Sequence, residues 1–516
     1  MKALFDRYAQ QIKEVVIGDK PMTLPEFVAI CRFNAKVILS PSYEQRVRAS
    51  RETLEQRLKE RTPIYGINTG FGGNVDQPVA DEHLVHLQEN IIFSHAVAAG
   101  QALSRERVRS MLLMLINVHG QGYSAVRFEF AALVRDFLNH GITPYVPAEG
   151  TVGGLSYITY ASMTFLGKGR VIEDDGRIVP AIGVLQHHGL EPLTLQPREG
   201  LGITSCMSPH MSFALLALYD LIITTRHADL CCALCFEALR STDNAMRKEL
   251  IELKGQPEVT ATADWLRRVL AGSENLSKAR AGKVQDGTSI RIIPYMMGAF
   301  KSLLAQAYEI MMREMHSVSD NPIFLKDGTA LMGAGWDSSY EAIYCDALCV
   351  GVVNVVKMIN THEKRLVDSR ISGLYPYLIK NPGVNNGFMM VQNAIEGFSA
   401  EIAQLSNPMT AFYTTVGAGQ EGPNPLSDGA GLKLCQVANK FKYLVSMTTL
   451  SALQALDLIE ERKSPVIDAL RAEARKTVTF MEQDDMMYER TEAMLRLTES
   501  CALLHTAEDA VGPFTL

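Results

Sequence analysis

A tyrosine set among glycines is the first group in this chain that could do chemistry: Tyr65-Gly66-Ile67-Asn68-Thr69-Gly70-Phe71-Gly72. A phenol titrates near ~10 in water, so one that removes protons at neutral pH needs surroundings that lower that value. Glycines let such a group close over a substrate and release product. Arg291 ends the stretch Gln285-Asp286-Gly287-Thr288-Ser289-Ile290-Arg291. Its planar fork can meet a carboxylate with two parallel hydrogen bonds, or serve a structural ion pair. His95, in an apolar helical stretch, could equally be a core histidine with its bonds satisfied. Glu421 stands in Val416-Gly417-Ala418-Gly419-Gln420-Glu421-Gly422-Pro423, where glycine and proline break helices and a functional loop is expected. Cys232-Ala233-Leu234-Cys235 has the spacing of a redox or zinc pair, but no second pair accompanies it. Its apolar helical context points to buried thiols and no metal site.

The elements that must position these groups are mostly helical. Arg105 to Gly120 reads as an amphipathic helix after Ser104, and Pro209 to Glu237 is apolar on most faces, as in a helix buried among others. Long periodic patterns follow over Ile293–Glu314, Glu341–Arg365, Gly387–Ser406, Leu432–Leu470 and Arg475–Leu504. Runs well beyond the ~11-residue mean imply a bundle of long helices. Strand signals are short; Arg170-Val171-Ile172 and Arg177-Ile178-Val179 predict a hairpin turning at Asp174-Asp175-Gly176. Ile371-Ser372-Gly373 reads as a helix ending on glycine. The fold class is mainly α, with a smaller mixed N-terminal lobe over 1–200 carrying the active-site loops and a long-helix bundle over 201–516.

Of 516 residues, 47% are hydrophobic and 21% charged, enough for a large core, and the net charge of −7 argues against nucleic acid or an anionic membrane as partner. Met1 to Arg7 lacks the apolar core of a signal peptide, and the apolar stretch Met211–Thr225 contains Asp220 and is too short to span a bilayer. Nine cysteines without a disulfide framework fit a reducing cytoplasm.

Nearly end to end the chain resembles the aromatic amino-acid ammonia-lyase and aminomutase family. The resemblance rests on the Tyr65–Gly72 block, Ser94-His95-Ala96-Val97, Gly122-Tyr123-Ser124-Ala125-Val126-Arg127 and Gln285–Arg291. Asp320-Asn321-Pro322, Glu363-Lys364-Arg365, Gly387-Phe388-Met389 and Gly419-Gln420-Glu421 complete it. It implies an ammonia-lyase-like helical homotetramer with active sites shared between subunits, and a small-molecule substrate. It also implies roles: Tyr65 as catalytic base and His95 as a catalytic or substrate-selecting group. Arg291 would hold the substrate carboxylate, with Glu421 and Asn68 among the substrate-binding residues.

At one place the chain departs from the pattern. Relatives carry Ala-Ser-Gly, which cyclises to a methylidene-imidazolone electrophile. Here Val152-Gly153-Gly154-Leu155-Ser156-Tyr157 runs through that position, three residues short of the family's count to Gly167-Lys168-Gly169. Cyclisation needs a serine that loses water and a following nitrogen, normally glycine, that attacks the carbonyl two residues back; bulky Tyr157 follows Ser156. Gly153, Gly154 and Leu155 therefore read as a vacated electrophile loop, and no cofactor is expected. Positions that support the electrophile in relatives are also replaced: Asn-Gly-Thr by Ser205-Cys206-Met207, a tyrosine by Thr288, and Gly-Asn-Phe-His by Ala334-Gly335-Trp336-Asp337. Tyr295 stands where relatives have glutamine, and with Trp336 would refill a cavity enlarged by the shortened loop. Loss of the electrophile set beside retention of base and clamp points to a repurposed enzyme. Its expected chemistry is elimination of a good leaving group, conjugate addition, proton transfer or cyclisation on a carboxylate-bearing substrate. A non-catalytic scaffold, and an ammonia-lyase using another route, are the competing expectations.

Overall fold

The computed structural model describes residues 8–206, 208–412 and 414–513. The leader reading of Met1–Arg7, and Met207 of the Ser205-Cys206-Met207 block, lie outside the described residues. Eight helices matter for the site. In the N-terminal region they are α1 (Leu84–His95), α2 (Arg105–His119) and α3 (Leu155–Met163). The long ones are α4 (Ser208–Ala238), α5 (Ile293–Met315), α6 (Ser339–Val367), α7 (Met389–Gln404) and α8 (Ser427–Asp457).

The long helices pack side by side as a bundle. α4 lies against α8 along most of its length, and α6 sits between α5, α7 and α8. All the described residues of α4 except Asp220 and Ile223 are buried, as its lack of a polar face requires. Asp220 accepts both arms of the Arg32 guanidinium, at 2.6 and 3.0 Å. Met211–Thr225 thus belongs to a 31-residue helix, not a short segment. By length and composition two stretches could cross a bilayer, Glu199–Ala238 and Ser339–Val367, but 88% and 56% of their apolar windows are covered by protein.

α2 forms where expected but is not amphipathic, since every residue from Val108 to His119 is buried. It runs between α4 and the helices Leu24–Phe33 and Phe128–His140, so no face meets water. Its Arg109 is fully buried and donates to the carbonyls of Ile30, Cys31 and Leu138 at 2.7–3.1 Å. A guanidinium there satisfies carbonyls that two helix ends would otherwise leave orphaned.

The predicted hairpin is present: Arg170–Ile172 pairs antiparallel with Ile178–Pro180, and Thr143–Pro144 joins as a third strand. Gly176 takes φ 85° in its turn, and Gly373 ends the helix Ser369–Ser372 at φ 65°. Two patterns read as single helices are each broken. The Leu432–Leu470 pattern stops at Asp457 and restarts at Pro465, where Ser464 caps the new helix by accepting from Ile467 N at 3.1 Å. Of the Arg475–Leu504 pattern, Arg475 ends the helix Pro465–Arg475, residues 476–486 are turn and coil, and the rest divides into Met487–Glu499 and Ala502–Val511, because Cys501 turns to φ 59°. Apolar periodicity carries across both breaks since the flanking segments face the same core.

All nine cysteines are free, and among the described residues no group of three or more His, Cys, Asp or Glu could hold a metal.

Candidate active site

One cavity of about 1040 Å³ gathers segments distant in sequence. It is lined by Tyr65, Phe71 and Gly72 from the tyrosine loop, His95 from the end of α1, and Gly153 and Leu155 from the start of α3. Ser205, His210, Trp336 and Glu421 complete the part that concerns chemistry.

Tyr65 is half-buried, and its phenolic oxygen accepts a hydrogen bond from Gly72 N at 3.0 Å. The loop is fastened from below by Gln88 of α1, which is fully buried. Its amide donates to Gly66 O at 2.9 Å and accepts from Leu201 N at 3.0 Å. Gly66 must be glycine here: its φ is +63°, and a Cβ would lie 2.5 Å from Leu201. His95 Nδ1 meets Ser94 Oγ at 3.0 Å.

The loop read as vacated caps α3. Gly153 and Gly154 take φ +73° and +69°, and a Cβ on Gly154 would stand 2.8 Å from Pro209 Cβ. Ser156 lies inside α3 and donates to His95 O at 2.7 Å, and Tyr157 behind it is buried, its hydroxyl donating to Ala148 O at 2.7 Å. Asp428 faces the Gly154 and Gly153 amides, its carboxyl pushed up by burial and partly pulled back by them.

The floor is a buried ionic knot. Arg198 and Asp320 are both fully enclosed and paired at 2.5 Å. Asp320 also accepts from Ser205 Oγ at 2.5 Å and Asn321 N at 2.7 Å, and Arg198 donates to the carbonyls of Ser124, Asn321 and Pro322 at 2.9–3.1 Å. Ser205 and Asn321 line the cavity, so this knot sets their position.

Several expected site residues stand elsewhere. Asn68 spends its side chain on the tyrosine loop, accepting from Ile64 N at 2.7 Å and donating to Thr62 O at 2.9 Å, so it shapes the loop and does not line the cavity. Gly154 is covered by Pro209 and is also off the wall. Arg291 donates to Asp286 O at 2.9 Å and Thr288 Oγ1 at 3.4 Å on the short helix Thr288–Arg291, outside this cavity. Tyr295, on the first turn of α5, packs against the core and does not join Trp336. Among the described residues the lining therefore holds two carboxylates, Asp76 and Glu421, and no lysine or arginine.

His210, Gln88, Arg198 and Asp320 were not singled out as site residues from sequence. His210 is buried, and burial pulls its imidazole down to about 4, with Asp337 opposing.

A family model described as aromatic amino acid lyase matches residues 22–476. The chain belongs to the aromatic amino acid lyase family. It is 31% identical over 497 residues to a histidine ammonia-lyase of Symbiobacterium thermophilum, covering 95% of this chain and 98% of that one. The solved histidine ammonia-lyase of Trypanosoma cruzi superposes with a TM-score of 0.90 at 26% identity, over 96% of each chain. A tyrosine aminomutase of Streptomyces globisporus shares the fold at a TM-score of 0.90 and 24% identity, over 98% of this chain and all of that one.

Proposed function

We propose that this member of the aromatic amino acid lyase family works without the self-formed imidazolone. In this reading Tyr65 takes a β-proton from a small carboxylate-bearing substrate. The C–H electrons form the double bond, and an α-substituent that leaves more readily than ammonia departs with its own pair. The reverse addition to an unsaturated acid is equally served. The observation that carries the reading is the loop at 153–155. It has no Ala-Ser-Gly, and the next serine is held in a helix with its hydroxyl committed to His95 O. The residues present do not fit the group. Unaided loss of ammonia would then forgo covalent activation, a deficit on the order of 10 kcal/mol.

Among the described residues the cavity of a single chain holds no lysine or arginine for the substrate carboxylate. In the homotetramer that the resemblance implies, Arg291 of a neighbouring copy would supply it, with Tyr295 and Thr288 near the same wall. A second reading, ammonia release from an amino acid by another route, is favoured by the relatives named histidine ammonia-lyase.

Intact-mass measurement and solvent exchange test the proposal together. The expected mass is that of the unmodified chain. Deuterium from D₂O should enter Cβ of 2-sulfanyl-3-phenylpropanoate, whose hydrosulfide leaves more readily than ammonia, and Tyr65→Phe should slow this at least ~10²-fold. A mass short by two waters overturns the ring-less mechanism, and brisk ammonia release from L-histidine favours the second reading.

A further inference from the structure

The polar side chains around the cavity are mostly committed to the protein. Ser205 Oγ is bound to Asp320 and Ser338 Oγ to Ser427 Oγ. Thr204 Oγ1 donates within its own helix, and the Asn321 and Asn424 carbonyls accept from Gly333 N and Leu426 N. Tyr65 is the base of the proposed reaction and holds Gly72 N. Glu421 is an acceptor only and would repel an electron-rich group.

Among the buried polar side chains of the lining, His210 is the exception. It is 5% exposed, its Nδ1 has no partner, and among the described residues no hydrogen bond reaches its ring. Of the other buried histidines with one free nitrogen, His227 lies off the cavity, while His119 and His362 fix Nε2 on the Gly202 and Ser289 carbonyls. Those two do not line the cavity. His210 does, beside Gly154, whose Cβ would come within 3.6 Å of His210 Nδ1. With Nδ1 enclosed against Gly154, the N–H that a cavity ligand can meet is on Nε2, to which no hydrogen bond runs among the described residues.

We infer that His210 is a substrate-contacting residue whose imidazole N–H receives the α-substituent of the substrate, an oxygen or sulfur group that accepts hydrogen bonds. This rests on the proposed elimination. As Tyr65 removes the β-proton and the double bond forms, the C–O or C–S pair leaves with the heteroatom, and the His210 N–H bonds the charge that gathers there. The imidazole keeps its proton, and the departing group takes one from water afterwards. Since burial holds His210 neutral above about pH 4, it acts as a fixed donor and not as a Brønsted acid.

The test is calorimetric binding of two probes, 3-phenylpropanoate and 2-hydroxy-3-phenylpropanoate, which differ only in the α-hydroxyl. Wild type should prefer the hydroxy acid at least tenfold, unchanged from pH 6 to 8. His210→Phe should reduce the preference to twofold or less while 3-phenylpropanoate binds as before, and His210→Gln should keep part of it. A preference that survives His210→Phe, or equal binding of both probes by wild type, overturns the assignment and leaves the elimination reading standing. If wild type binds neither probe, that reading falls, and this one with it.

Discussion

Replacing Asp320 by asparagine isolates the charge in the knot beneath the cavity. The change is nearly isosteric and keeps a carbonyl oxygen for Ser205 Oγ and Asn321 N, but it leaves the fully enclosed Arg198 guanidinium without a counter-charge. Removing one partner of a buried pair costs about 3–5 kcal/mol, because the surviving charge is desolvated and unpaired. With unfolding entropy near ~2.1 cal/mol/K per residue, a chain of 516 residues loses about 1 °C per kcal/mol. Asp320→Asn should therefore lower the melting temperature by about 3–5 °C in thermal scans at fixed protein concentration. Ser205→Ala, which removes one neutral donor, should cost about 1 kcal/mol and about 1 °C. An Asp320→Asn protein melting within 1 °C of wild type, or a Ser205→Ala protein that melts lower, would refute the reasoning.

Glu363 in α6 is enclosed, with only Ser451 Oγ on one oxygen, and burial pushes its carboxyl up to about 8. The folded chain thus keeps a proton that the unfolded chain releases near 4.5, so stability falls as pH rises from 4.5 to 8, by roughly 1.4 kcal/mol per unit at most. Glu363→Gln should melt well above wild type at pH 8 and close to it at pH 4.5; an offset independent of pH would contradict the buried neutral carboxyl. Gly154→Ala must adopt φ +69° and press a methyl on Pro209, whereas at Gly153 the nearest atom is the movable Leu155 Cδ1 at 3.2 Å. Urea unfolding should show Gly154→Ala losing about 1–3 kcal/mol and Gly153→Ala less; the reverse order would mean the loop is not seated on α4 as described.

Much of the site was legible because its parts are local. Tyr65, His95, Trp336 and Glu421 each sit in a short stretch whose glycines or aromatic neighbours mark it, and the fold brings all four to one cavity. Arg291 and Tyr295 were legible as residue types but not as neighbours, since a motif does not say which wall of the folded chain it faces. Asn68 misled because an asparagine that braces a loop and one that binds a ligand look alike in sequence. His210 was hidden by an apolar run in which one histidine suggests a satisfied core residue, and Arg198 and Asp320 meet across 122 residues of chain. The two missed helix breaks have the same origin: Ser464-Pro465 is a clear start signal, overridden by periodicity that continued on both sides of it.

Gln88 carries a consequence for motion. By clasping Gly66 to Leu201 it ties the backbone next to Tyr65 to the helix Glu199–Thr204. Beyond the clasp, Phe71, Gly72, Asn74 and Val75 line the cavity, and among the described residues the Gly72 N–H is the one partner of the phenolic oxygen. Any shift of Gly72 away from the cavity would therefore free that oxygen as well.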